Sequence, residues 1–132
     1  MKRVRPTIVY THHEGDLNID HERTCRAVLA AVRPVPGSVV RAVYAFEVAS
    51  STEWRASAAK AFVPRRYVDV AGTLSKKLAA LRCYGSEMRP FPHARSYEGI
   101  RALAARRGSE AGVRAAEAFD VLREVVTGPR GR

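Results

Sequence analysis

Residues 7–37, TIVYTHHEGDLNIDHERTCRAVLAAVRPVPG, constrain the fold more than any other stretch. Thr7, Ile8, Val9 and Tyr10 are β-branched or aromatic, which suits a buried strand. A polar loop follows. A helix then begins near residue 19, with Asn18 or Asp20 available as its cap. Asp20 and Glu22 place negative charge in its first turn, where the helix dipole favours it. Cys25, Val28, Leu29 and Val32 recur at helical spacing and form its apolar stripe. Pro34 and Pro36 cannot continue the hydrogen-bond ladder, so the helix stops there.

The same alternation continues downstream. SVVRAVYAFEV at 38–48 reads as a longer strand, and RRYVDV at 65–70 as a third strand or extended segment. TLSKKLAALRCYG at 73–85 reads as a helix with Leu74, Leu78 and Leu81 inward and Gly85 as its stop. Ser96 is the expected cap of a helix carrying Tyr97, Ile100, Leu103 and Ala104. AEAFDVLREVV near the end fits either a helix or a strand by periodicity. Strands alternating with helices indicate an α/β protein with a mainly parallel sheet, in which ligands bind at the carboxyl ends of the strands. The 132 residues suffice for one domain, read as an α/β segment over 1–126 with a disordered basic tail over 127–132.

No apolar run approaches the roughly 18 residues of a membrane span, and the apolar stretch after the basic start is too short for a signal peptide. Cys25 and Cys83 form no CxxC pair and read as reduced thiols in a cytoplasmic protein. The formal charge of +10 raises nucleic acid as a partner. Of the 23 basic residues 19 are arginine, and they are scattered rather than set in a stripe with aromatics. Such a bias, beside many alanines, is also what a GC-rich bacterial genome produces. A basic binding module without catalysis is the alternative functional class.

Three of the four histidines lie in YTHHEGDLNIDH. This loop leaves a strand and opens a helix, so it sits at a strand's carboxyl end. His21 shares a helix face with Cys25 and Val28 and points toward the sheet. It can act as a zinc ligand with a carboxylate orienting its ring, or as a hydrogen-bonded histidine at a helix start. DLNID matches the opening of a calcium loop, but His21 stands at the position of the loop glycine and Ala27 at that of the glutamate. Adjacent His12 and His13 point opposite ways in extended chain and do not easily share one ion. At least one of them is solvated or contacts a substrate.

RPTIVYTHHEGDLNIDHERT resembles the second metal-binding motif of the PIG-L/LmbE family of zinc-dependent N-deacetylases. The similarity continues through VYAFEVASSTEW, through residues 62–96, and through RALAARRGSEAGVRAAEAF. The resemblance implies a Rossmann-like fold, and it resolves the tail near AEAF as a strand. It implies zinc held by two histidines and an aspartate, and hydrolysis of an N-acetyl group on an amino sugar or related amide. On it, His21 is the metal ligand, Asp20 orients it, and Asn18 contacts the substrate or the oxyanion. His13, Asp16, Glu47, His93 and Arg95 are candidate substrate contacts. Glu47 would reach the site from a strand end, and His93 and Arg95 from PFPHARS, where family members often carry P-H-P-R-S. Trp54 lies in a segment resembling a loop near the site, though a packing tryptophan is the simpler expectation.

The family's first motif, A-H-P-D-D-E, is absent. It supplies the other histidine, the metal-binding aspartate and the general base. The chain therefore reads as the C-terminal half of such an enzyme, inactive or weak alone and binding zinc weakly through His21 with help from Asp20, His12 or His13. A split enzyme with a separate N-terminal partner chain, a degenerate gene product and a misplaced start codon are the explanations it leaves. A sheet cut through its middle, with TIVY as the cut edge, is expected to form a homo-oligomer or to be poorly soluble.

Overall fold

The computed structural model describes residues 4–56, 60–126 and 128. The residues expected as a basic tail therefore lie, apart from Gly128, outside the described residues. In chain order the elements are β1 (Ile8–His12), α1 (Ile19–Ala31), β2 (Ala42–Phe46), β3 (Arg66–Asp69), α2 (Leu74–Arg82), α3 (Tyr97–Ala111) and β4 (Ala116–Glu124). They form a mixed four-stranded sheet in the order β1-β2-β4-β3.

β1 and β2 are parallel and joined through α1, as the strand–loop–helix pattern requires. β4 runs antiparallel to both neighbours. β1, β2 and β3 therefore point the same way, and their carboxyl ends lie on one side of the sheet. The α/β class is as expected and the tail is a strand, but the sheet is mixed where a mainly parallel one was expected, because β4 inserts antiparallel between β2 and β3. β2 is shorter than the pattern over 38–48, with a register shift at Val43/Tyr44 against β4. β1 occupies one edge of the sheet.

Alternation along the strands sorts the core into two faces. Val9, Val43, Val40 and Leu122 pack with Val28 and Val32 on one of them. Tyr44, Ala42 and Phe119 pack with Phe46 and Val121 on the other, where Tyr10 tilts against Tyr44 and Phe119. α1 packs on β1, and α3 on β4 and β3.

Neither Asn18 nor Asp20 caps α1 through its side chain; Asn18 is the N-cap by backbone geometry alone. The carbonyl of Val32 at the other end accepts from Arg123 Nη2 at 2.7 Å, which brings a cation to the helix's negative pole. Ser96 caps α3 as expected, accepting from the Gly99 amide at 2.9 Å. Gly108 lets α3 approach the chain that returns to β4. A Cβ there would lie 2.6 Å from the Val113 carbonyl oxygen. α2 is shorter than expected, with Leu78 its buried residue and Gly85 past its end.

Candidate functional site

The loop after β1 folds into a tight polar knot. Gly15 is buried inside it, and a Cβ at this position would stand 2.0 Å from the Lys60 carbonyl oxygen and 2.8 Å from the His13 ring. Only glycine allows the loop to close on the segment that carries Lys60.

Asp16 is the centre of the knot and is fully buried, at 0% exposure. Its Oδ1 accepts from the Ser51 hydroxyl and from the Asn18 amide at 2.9 Å. Its Oδ2 accepts from the Thr52 hydroxyl at 2.8 Å. Its backbone carbonyl accepts from Arg55 Nη1 at 2.9 Å. Burial opposes ionisation of Asp16. The hydrogen bonds from Ser51, Asn18 and Thr52, with the nearby His21, outweigh it and hold the carboxyl below its usual range. Ser51 and Thr52 are themselves buried, and Val48 N–H donates to Thr52 Oγ1 at 2.8 Å.

His21, in the first turn of α1, lies beside this carboxylate. Its Nδ1 stands 3.1 Å from Asp16 Oδ1, although the ring is turned off the line of a well-directed hydrogen bond. The opposite side of the pair is closed by His12, whose ring stacks on His21 at 4.1 Å and an interplanar angle of 24°. Phe46 packs against His12 at 4.8 Å. Burial, and then the proximity of His21, lower the pKa of His12. His12 is thereby disposed to stay neutral.

His13 faces the other way, as neighbouring residues in extended chain must. It is buried, its Nδ1 accepts from the Gly15 amide at 3.0 Å, and its Nε2 lies 3.5 Å from Asp120 Oδ2. Phe62 meets its ring edge-on. Both nitrogens are engaged inside the protein, so the substrate contact expected of His13 is not available in this geometry. His12 is the histidine that joins His21, where the sequence alone leaves His12 and His13 as equal candidates.

Asp16 was expected to touch substrate, but its burial and its three donors turn it inward. Asp20, expected to orient His21, is exposed in the first turn of α1, where its carbonyl accepts from Thr24. The structure brings Asp16, not Asp20, to the His21 ring. Asn18 is exposed beside them with its amide side chain outside the helix cap.

Glu47 directly follows the last residue of β2, but Arg107 takes both its oxygens, at 2.7 and 2.6 Å. The two side chains are 16% and 11% exposed. Arg107 also binds Glu110, and these carboxylates raise its already high pKa further, the Glu47 hydrogen bonds most of all. The free carboxylate expected at the sheet mouth is neutralised.

His93 accepts from the Arg95 amide through Nδ1 at 3.0 Å and meets Trp54 edge-on at 5.5 Å. Arg95 pairs with Glu87 at 2.9 Å within its own loop. Trp54 is 53% exposed, so it does not pack in the core. It lies two residues after Thr52, in the loop whose Ser51 and Thr52 hold Asp16. Outside the knot, Glu22 pairs with Arg26 at 2.7 Å and Lys60 lies 3.5 Å from both Glu14 and Glu22. These exposed contacts tie the loop's rim to α1 and are individually weak.

Among the described residues no three His, Cys, Asp or Glu side chains converge into a metal shell. The zinc site implied by the resemblance therefore does not fit within these residues alone. Both Nδ1 atoms of the His12–His21 pair are buried without a hydrogen bond, which leaves the pair electrostatically unfinished. Among the described residues no helix is long and apolar enough to cross a membrane. Cys25 is buried and Cys83 exposed, and both are free thiols.

In architecture the molecule is a mixed α/β protein with its loop site at the strands' carboxyl ends. The solved structures it is similar to include a conserved protein from Thermus thermophilus, with a TM-score of 0.69 and 24% identity over 99% of this chain and 58% of that one. They also include the N,N'-diacetylchitobiose deacetylase of Pyrococcus horikoshii in complex with its inhibitor MPG, with a TM-score of 0.61 and 19% identity over 92% of this chain and 47% of that one. The chain thus spans 58% and 47% of the lengths of these proteins. No family model matches the chain, and no curated protein matches it.

Proposed function

We propose that this chain forms the carboxyl-terminal part of a PIG-L/LmbE-type N-deacetylase site, acting on an N-acetylated amino sugar or a related amide. The observation that carries this reading is the position of His21. It stands at the carboxyl end of β1, backed by Asp16 at 3.1 Å, where β1 is an edge of the sheet. In sheets of this kind that end is where ligands bind. The likeness in fold to a diacetylchitobiose deacetylase supports the reading.

In this proposal His21 offers an imidazole, His12 walls the site on one side, and exposed Asn18 is placed to bind the substrate's amide oxygen. Zinc belongs to the proposal only as a weakly held ion in this chain, because one matched ligand falls short of the three that zinc enzymes use. The remaining ligands and a general base would come from a segment carrying H-P-D-D-E.

The test is reconstitution. Supplied with such a segment, the pair is expected to hydrolyse the acetamide of an N-acetylated amino sugar in a zinc-dependent way, and this chain alone almost not at all. His21→Ala in the pair is expected to lose both metal and activity. A stable, zinc-loaded pair that hydrolyses no acetamide from a broad panel would sink the deacetylase reading, and salt-dependent nucleic-acid binding in its place would favour a basic binding module. Equal activity of the His21→Ala pair would sink the ligand assignment alone.

A further inference from the structure

We infer that Asp16, clamped by Ser51 and Thr52, is the positioning residue of the His21 imidazole, so that the loop after β2 sets the orientation of a side chain carried by α1. The inference rests on the reading above for its functional meaning, but on geometry alone for its content.

An ionised carboxylate has about four lone-pair sites. Three of those on Asp16 are filled by the Ser51 hydroxyl, the Asn18 amide and the Thr52 hydroxyl. The fourth site is on Oδ2; His21 Nδ1 lies 3.1 Å from Oδ1, off the line of a hydrogen bond, so the carboxylate acts on the ring through its charge. The three filled sites use neutral donors, so none of them cancels the charge. The carboxylate is thus fixed in place and still negative beside the ring. Which nitrogen of an imidazole carries the proton is set by what the other faces. An anion facing Nδ1 favours the Nδ1–H form and leaves Nε2 unprotonated, with a lone pair for a ligand.

The clamp has its own support. Thr52 Oγ1 accepts from the Val48 amide while donating to Asp16, and the Ser51 amide donates to the Val48 carbonyl at 3.1 Å. Leu17 N–H reaches the Ser51 carbonyl at 3.4 Å, and Arg55 holds the Asp16 carbonyl. Two loops distant in sequence are therefore joined at the carboxylate, which is 35 positions from Ser51 and 36 from Thr52. Asp20, next to His21 in sequence, takes no part.

The test needs no catalytic activity. Long-range proton–nitrogen correlation spectra of the full, nitrogen-15-labelled chain at about pH 8, where free imidazole is neutral, report the tautomer of each histidine. The expected result is His21 mainly in the Nδ1–H form. In Asp16→Asn the ratio is expected to move toward Nε2–H by about tenfold, the factor that corresponds to about 1.4 kcal/mol. Ser51→Ala combined with Thr52→Val keeps the carboxylate and loosens its clamp. It is expected to move the His21 ring signals in the same direction by a smaller factor, which keeps the idea testable if Asp16→Asn does not fold. Asp20→Asn is expected to leave them unchanged. A folded Asp16→Asn chain with the His21 tautomer of the parent, or an Asp20→Asn chain that shifts it, overturns the assignment. Either result is independent of whether a reconstituted pair deacetylates anything, so this inference and the deacetylase reading fail separately.

Discussion

Two carboxylates follow neighbouring parallel strands, and the protein treats them in opposite ways. Glu47, after β2, is met by a guanidinium that takes both its oxygens. Asp16, after β1, is met by two hydroxyls and an amide. Both carboxylates are satisfied in hydrogen-bond terms, but only the first is neutralised. An ion pair of that kind confines its field and fastens α3 to the end of β2. A buried carboxylate held by neutral donors keeps its field, and the nearest group to feel it is His21. Burial and polar satisfaction alone do not separate a structural acid from one that acts on its surroundings. The charge of the donors does.

The strongest way to test that contrast is to remove the cation. Arg107→Met keeps most of the side chain's apolar contact and leaves Glu47 without a counter-charge. We expect a loss of about 3 kcal/mol in urea unfolding, the scale on which breaking one partner of a largely buried pair acts. An unfolding midpoint equal to that of the parent would mean Glu47 is as well solvated as a surface acid. The clamp on Asp16 comes next. Ser51→Ala and Thr52→Val are each expected to destabilise by about 1–2 kcal/mol, since each removes a neutral donor to a buried charge. Their effects should not add, because both act on one carboxylate. Strict additivity in the double variant would show that the hydroxyls serve separate partners.

The smallest effect belongs to Glu110. Hydrogen bonding to Arg107 is the main reason its carboxyl is held below the usual range. A depressed acid contributes stability that is present above the unfolded pKa and is lost as pH falls through the folded one. Most of this site is open to solvent, so the contribution is within about 0.5 kcal/mol. Glu110→Gln is expected to shift neutral-pH stability by no more than that, and to match the parent once the pH lies below the carboxylate range. A larger gap at neutral pH would place Glu110 inside the Glu47–Arg107 pair rather than at its rim.

Much of the fold was legible because periodicity and punctuation are local. The strand from Ile8, the helix from Ile19, the Ser96 cap and the short segment at Arg66–Asp69 all follow from residues within a few positions of one another. The direction of β4 was not, since an alternating strand reads the same in either sense and direction depends on how the chain returns. The site divides in the same way. That His21 points to the sheet, and that His12 and His13 diverge, follows from helix and strand geometry. The fate of Glu47 depends on Arg107, 60 residues on, and that of Asp16 on Ser51, 35 residues on. No local pattern announces those meetings. Two small hydroxyl residues in a loop, Ser51 and Thr52, carried the only hint, as plausible donors to a buried acid.

β1 lies at the edge of the sheet, and its last residue is His12. Strands in a sheet stand about 4.8 Å apart. A strand that joined β1 in parallel would end alongside the two stacked imidazoles. Extending the sheet and walling the site would then be one thermodynamic event, not two. The affinity measured for such a strand would include whatever the site gains from its arrival, and a ligand of the completed site would tighten the pairing by the same factor. Substitutions of Ile8 or Tyr10, half-exposed on the edge strand and remote from any chemistry, would then weaken ligand binding through assembly alone.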